Sequence, residues 1–351
     1  MFENLFKKTS RDVAIDLGTS NTLLFMKDRG VIVNEASIVA INKRTGQILE
    51  VGGEAVKMLG KTPPHIEISQ PLIDGVISDF EVTEKMLKYF LDKIHREKYM
   101  LASRPRVIVG IPLDVTEVEK KAVEDAVISA GGKEVYMVEN VMAAAVGARL
   151  PIQDASGNMI VDFGGGITQI AVISLSGVVA WKTLKVAGNE LDQDAVNFLR
   201  SEHNLFVGIK NAEKLKIEVS NTKDLKEDTR FKIRGRDVVS GLPKEILVSG
   251  NQILHSLDRP IKIVIDAIKS TLEITPPELI SDIYQRGVVL TGGGAKLKNL
   301  ETIISKVIKI PVKIIDDPQT CSVRGMGILL EDPELLKEIA IPTTKDDERV
   351  R

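Results

Sequence analysis

Asp16-Leu17-Gly18-Thr19-Ser20-Asn21-Thr22 and Asp162-Phe163-Gly164-Gly165-Gly166-Ile167-Thr168 share one form, Asp-x-Gly-x-x-x-Thr. Each follows a short apolar run, Val13 to Ile15 and Asn158 to Asp162, and each precedes another, Thr22 to Met26 and Gln169 to Ser174. Both therefore read as β-hairpins whose turns are rich in glycine and hydroxyl residues. A single turn of this kind says little. Two in matching context, a domain length apart, imply two related domains that each offer a turn to one cleft. A glycine turn lets backbone N–H groups approach an anion, and Thr19, Ser20 and Thr22 can donate further hydrogen bonds. Two facing turns can clamp a polyphosphate. Asp16 and Asp162 at the strand ends would repel it unless a hard cation held largely through water intervened, and Mg²⁺ fits. Gly292-Gly293-Gly294, after Val288-Val289-Leu290-Thr291, completes a nucleotide-sized site.

The rest of the chain alternates strand and helix signals, an α/β pattern. Strands are expected at Val107 to Ile111, Glu134 to Val138 and Gly287 to Leu290. Helices are expected at Thr83 to Glu97, Thr116 to Ala130, Ala143 to Ala148 and Leu297 to Val307. Thr116 and Glu119 have capping-box spacing, and the small residues Ala143-Ala144-Ala145 allow close packing. Gly60-Lys61-Thr62 imitates the end of a P-loop, but Ala55 stands where its first glycine belongs and Glu54 to Leu59 reads as helix.

The chain has 351 residues, enough for two or more domains. Apolar residues make up 43% and charged ones 27%, the balance of a globular protein. With 47 basic against 49 acidic residues the net charge is −2, which speaks against nucleic acid as partner. Cys321 is the one cysteine, so there is no internal disulfide framework, and the four histidines are scattered without metal-ligand spacing. No apolar run reaches the ~18 residues needed to span a bilayer, and the N-terminus lacks the central stretch and cleavage site of a signal peptide. Phe2, Leu5 and Phe6 fall at i, i+3, i+4 before Lys7 and Lys8. That spacing is read either as an amphipathic turn for an anionic membrane or as a segment packed on its own domain.

The two turns, the Ala143-Ala144-Ala145 helix and the late Thr-Gly-Gly-Gly resemble the actin, Hsp70 and sugar-kinase fold. Within it, further stretches resemble the MreB family of bacterial actins. They are Asp16 to Leu23, Asp74 to Phe80 with Val82 to Leu87, Ala187-Gly188-Asn189-Glu190, Ala212 to Glu218 and Leu290 to Ala295. The resemblance implies two large domains around a nucleotide cleft, each with a small subdomain. The first large domain takes 1–33 and 79–150 and its small partner 34–78. The second takes 151–185 and 250–340 with 186–249, leaving 341–351 as a polar tail. It implies ATP with Mg²⁺, filaments that can pair antiparallel, a role in cell shape, and a cytoplasmic place on the inner membrane face. By position, Gly18, Thr19, Ser20 and Asn21 line the first phosphate loop and Gly164, Gly165 and Gly166 the second. Glu213 and Lys216 fall beside ribose and adenine, or else on a solvated helix face, and Gly292, Gly293 and Gly294 pass under the nucleoside. Tyr99, Met100 and Leu101 fall near a membrane-touching loop of the family, or form an ordinary connection.

Two positions depart from the pattern. The family's water-orienting glutamate, before Pro-Met-Ala-Ala-Ala, is Asn140 here, and the proline is Val141. The assisting threonine after the second glycine triplet is Ile167, and the glutamate two residues on is Gln169. An amide cannot usefully take a proton from water. Slow or absent hydrolysis is expected, with neighbouring Glu139 as a possible substitute base. A working ATPase driving filament dynamics is the main alternative. A chaperone-type ATPase would need a further substrate-binding region, which the sequence does not show before its end at Arg351, and no sugar-site signature supports a small-molecule kinase. An altered shell also suits a specialised paralogue acting beside other MreB copies, as in wall-less helical bacteria that use them for shape and swimming.

Overall fold

The computed structural model describes residues 12–95, 104–222 and 225–342. The first half runs β1 (Val13–Leu17), β2 (Asn21–Met26), β3 (Gly30–Ala36), β4 (Val39–Asn42), β5 (Gln47–Val51), α1 (Gly53–Met58), β6 (Ile66–Ser69), β7 (Leu72–Ile73), β8 (Val76–Ile77), α2 (Phe80–His95), β9 (Arg106–Ile111), α3 (Glu117–Ser129), β10 (Glu134–Glu139) and α4 (Asn140–Gly147). The second half begins with β11 (Asn158–Phe163), β12 (Thr168–Ser174), β13 (Gly177–Leu184), α5 (Gly188–His203), β14 (Leu205–Phe206), α6 (Ile209–Asn221), β15 (Arg230–Asp237) and β16 (Pro243–Ser249). It closes with α7 (Gly250–Ser256), α8 (Asp258–Glu273), α9 (Pro277–Arg286), β17 (Val288–Thr291), α10 (Leu300–Ile308), β18 (Val312–Ile314), α11 (Cys321–Leu329) and α12 (Pro333–Ile339).

The repeated motif is matched by a repeated topology. One five-stranded sheet has the order β10-β9-β1-β2-β3, the other β18-β17-β11-β12-β13. In each, the motif strand pairs antiparallel with the strand after its turn (Asp16 with Leu23, Asp162 with Gln169) and parallel with a later strand on its other side. Smaller three-stranded sheets, β5-β4-β6 and β14-β15-β16, accompany them.

Each large sheet buries its outer face under helices. In the first, Met86, Leu87, Phe90 and Leu91 of α2 and Ala126 and Val127 of α3 cover β1 and β9. In the second, Leu191 and Ala195 of α5 and Val264 and Ile268 of α8 cover β11 and β12. Between the sheets lies a third cluster built on α4 and α11, with Ala14, Ile108, Ile160 and Ala171 pointing in from the strands. Here α4 and α11 cross with almost no separation. A Cβ added at Gly325 would stand 2.7 Å from the Gly147 nitrogen and inside the Ala143 carbonyl. The Cys321 thiol donates to the Ala144 carbonyl at 3.3 Å across the same contact. Burial pushes that thiol's pKa up to about 12.

The capping box holds as the spacing suggested. The Glu119 amide donates to the Thr116 hydroxyl at 3.2 Å, and the Thr116 amide donates to the Glu119 carboxylate at 2.7 Å. Several boundaries move. Helix α4 starts at Asn140, one turn before the alanine run. Helix α10 starts at Leu300, not Leu297, because the third glycine cluster first winds into a short 3₁₀ turn, Gly293–Lys296, and Asn299 adopts a left-handed φ of 59°. Helix α2 begins at Phe80, ahead of Thr83. The P-loop imitation is the end of α1 followed by Gly60 at φ 72°. Phe2, Leu5, Phe6, Tyr99, Met100 and Leu101 lie outside the described residues. Among those described, no helix is long and apolar enough to cross a membrane.

The helix crossing gives the first prediction. Gly325→Ala should lower unfolding stability by about 2 kcal/mol or more, because backbone has to move. Gly208→Ala, where an added Cβ meets nothing within 4 Å, should shift it by only a few tenths of a kcal/mol. Chemical unfolding of the two variants side by side tests this, and equal stabilities would refute it.

Candidate nucleotide-binding cleft

A cleft of about 580 Å³ opens between the two large sheets, and the two motif turns form its floor. The turns have the same internal geometry. A Cβ on Gly18 would stand 2.7 Å from the Asn21 carbonyl, and one on Gly164 would stand 2.8 Å from the Ile167 carbonyl. Each turn is braced from outside. The Ser37 hydroxyl donates to the Gly18 carbonyl at 2.6 Å. The amides of Gly188 and Asn189 donate to the Gly164 and Gly165 carbonyls at 3.1 and 2.8 Å. The threonines that close the motifs are buried and turned away from the cleft: Thr22 bonds Ser37 at 2.9 Å, and Thr168 donates to the Val186 carbonyl at 2.7 Å. They are structural pegs, so Thr22 is not among the phosphate donors.

The turns also touch each other. An added Cβ on Gly166 would lie 2.5 Å from the Thr19 hydroxyl, and one on Gly165 would overlap Ser20. Ser20 donates to the Asn189 side chain across the gap at 3.2 Å. Glycine at 165 and 166 is therefore required by the approach of the opposite turn.

Asp16 and Asp162 lie at the base of the cleft. Burial, with the charge of Asp162 second, lifts Asp16 to a pKa of about 7. Burial lifts Asp162 to about 6, against a hydrogen bond from Thr291 at 3.1 Å that favours its charged form. Two half-buried carboxylates with raised proton affinity suit a divalent cation that completes its shell with water and phosphate. No group of three or more His, Cys, Asp or Glu that could cage a metal occurs among the described residues.

The cleft also gathers most of the other residues read from the sequence. Asn140, Ile167, Glu213, Lys216 and Gly292 to Gly294 all line it. Lys216 is held by Asp192 at 2.7 Å and by the Gly188 carbonyl at 3.3 Å, and Lys210 holds Glu213 at 2.9 Å. Asn140 lies over bare Gly110 of β9, with its Oδ1 buried and without a hydrogen-bond partner. Gln169 is 1% exposed and neither of its amide atoms has a partner. Glu139 is different. It ends β10, burial raises its pKa, and it is not part of the cleft wall. Sequence reasoning missed Asn189, Asp192, Gln319 and Ser322 in the wall. Only the Ala187-Gly188-Asn189-Glu190 stretch had flagged that neighbourhood.

The model of the MreB/Mbl protein family matches residues 10–338. The chain belongs to the MreB/Mbl family. It is 42% identical to the cell shape-determining protein Mbl of Bacillus subtilis, over 93% of this chain and 98% of that one. It is 43% identical to the cell shape-determining protein MreB of Escherichia coli, over 92% and 94%. The crystal structure of MreB5 of Spiroplasma citri bound to ADP superimposes with a TM-score of 0.87 at 34% identity, covering 93% of this chain and 98% of that one. The same MreB5 is also known bound to AMPPNP. The actin-like fold expected from the paired turns is the fold of this MreB/Mbl chain.

The two aspartates at the base of the cleft give a pH dependence. Both bind protons more tightly in the folded than in the unfolded chain, so the folded state holds more protons between about pH 4 and 7, and its stability falls as pH rises through that window. Asp16→Asn should flatten the slope and stabilise the ligand-free protein at pH 8. Thermal unfolding from pH 5 to 8 without nucleotide or divalent cation checks it: the Asp162 share of the slope remains, and a slope as steep as wild type's in the variant would be inconsistent.

Proposed function

We propose that this chain is a cytoplasmic bacterial actin that binds ATP with Mg²⁺, assembles into filaments and supports cell shape, and that it hydrolyses ATP slowly or not at all. The observation that carries this reading is the pair of matched turns over two half-buried aspartates, in a cleft whose wall carries Asn140 and Ile167 beside the turns. Gly18 to Asn21 and Gly164 to Gly166 line the phosphates: the Thr19 hydroxyl and the Gly165 and Gly166 N–H groups donate to them, while the Gly164 amide is spent on the Ile167 carbonyl and the Ser20 hydroxyl on Asn189. Glu213 and Lys216 face the ribose and adenine, and Gly292 to Gly294 pass beneath. Asp16 and Asp162 hold the hydrated Mg²⁺, which when bound offsets phosphate charge. The ADP and AMPPNP complexes of the S. citri relative support nucleotide as the ligand.

Hydrolysis needs a group that orients water and accepts its proton. Asn140 and Gln169 offer amides, which hydrogen-bond water without taking its proton, and Ile167 offers no polar atom. Nucleotide then serves assembly as a bound ligand. The chain divides at the boundaries read from the sequence, with small subdomains at 34–78 and 186–249 beside the large domains. Filaments, single or paired antiparallel, form from this chain or with MreB paralogues. They rest on the inner membrane face through Phe2, Leu5, Phe6 and the Tyr99-Met100-Leu101 segment, and shape or, in a wall-less cell, motility is the output.

Steady-state phosphate release measured beside nucleotide binding on one sample tests the reading. Wild type should bind ATP with Mg²⁺, and the double variant Asn140→Glu, Ile167→Thr should release phosphate ~100-fold faster. Wild-type release matching that of the double variant would favour the active-ATPase alternative.

A further inference from the structure

Ile167 occupies the fourth place of its turn, where Asn21 stands in the first. Asn21 stays within its own half and donates to Asn34 at 3.0 Å. Ile167 reaches across. Its Cδ1 lies 2.8 Å from where a Cβ of Gly75 would be, and the Cγ of Pro112 lies 2.9 Å from the same point. Gly75 is the second residue of the tight β7–β8 corner and sits at φ 81°, so its bare Cα is the seat for the Ile167 methyl. The Gly75 amide donates to the Thr19 hydroxyl at 2.8 Å, tying the corner to the first turn. Lys185, just past β13, reaches Asp74 of the corner at 3.3 Å.

These contacts join the halves through protein alone. The Lys185–Asp74 pair, with its lysine exposed and its aspartate half-buried, is open to water and contributes little. The Ile167 contact is apolar, and parting the halves returns it to water. We propose that Ile167 is an apolar bolt across the cleft that slows the release of bound nucleotide, triphosphate and diphosphate alike. The proposal rests on the nucleotide reading above and adds a role for the residue that the family pattern marks only as a lost hydroxyl. Nucleotide held between touching turns leaves when they part, and the bolt opposes parting whether or not a γ-phosphate is present. Slow exchange suits a ligand that is retained and seldom hydrolysed.

Ile167→Val removes the Cδ1 methyl, keeps the β-branch and adds no hydroxyl, so it tests the bolt apart from hydrolysis. The protein is loaded with fluorescent ADP or fluorescent AMPPNP in Mg²⁺ and chased with excess unlabelled nucleotide. Dissociation of both should quicken ~4-fold in the variant, while Lys185→Ala should change it less than ~2-fold. Unchanged rates for both nucleotides would overturn the bolt and leave nucleotide binding standing. Faster release of AMPPNP alone would overturn it too, placing Ile167 against the γ-phosphate. Failure of wild type to load either nucleotide would sink both readings. Matching thermal unfolding of variant and wild type shows that the fold is intact.

Discussion

The crossing of α4 and α11 at Gly147 and Gly325 is the constraint on which the rest depends. Each helix follows the last parallel strand of its sheet, β10 or β18, so each carries its half of the molecule to the same point. Backbone meets backbone there, and a single methyl on either glycine would push the halves apart. Because the contact is tight, the sheets diverge from a fixed line, and the β1–β2 and β11–β12 turns are brought face to face. The cleft floor follows from that crossing and from the two strand orders. The alanines of α4 let the central layer stay thin enough for residues from both sheets to share one core.

The Asp-x-Gly-x-x-x-Thr echo made the duplication legible, because each of its residue types answers a local demand. The aspartate ends a buried strand, the glycine meets a carbonyl three residues on, and the threonine pegs the turn from behind. The reading of Thr22 as a phosphate donor failed for the same reason, since the peg consumes its hydroxyl. Boundaries moved where local geometry overrode periodicity, as at Asn299, whose left-handed backbone stops one helical winding and starts another. Asp192 was not legible, because its role comes from Lys216, 24 residues on, and only packing of α5 on α6 brings them together. Glu139 and Asn140 were adjacent candidates that sequence could rank only by helix geometry. The structure separates them, with Asn140 in the cleft wall and Glu139 outside it.

The electrostatics of the cleft are lopsided. Asp16 and Asp162 at the base have raised proton affinity, while the groups nearest the two turns are neutral: amides at 140 and 169, an alkyl chain at 167. The lysines in the wall are engaged elsewhere, Lys216 with Asp192 and Lys296 with Gln319 at 3.0 Å. A polyphosphate there meets oriented backbone dipoles before it meets a formal positive charge. Such a surface binds by geometry, and its affinity depends on how well the two turns keep their spacing.

That spacing is set at the helix crossing, where the chain's single cysteine lies. Cys321 is buried and its thiol is committed to the Ala144 carbonyl. Thiol reagents attack the thiolate, which burial suppresses here. Alkylation of the native fold is therefore slow and waits on motions that open the contact between α4 and α11. The chain's own cysteine thereby reports on the opening of its central layer, and it needs no engineered label.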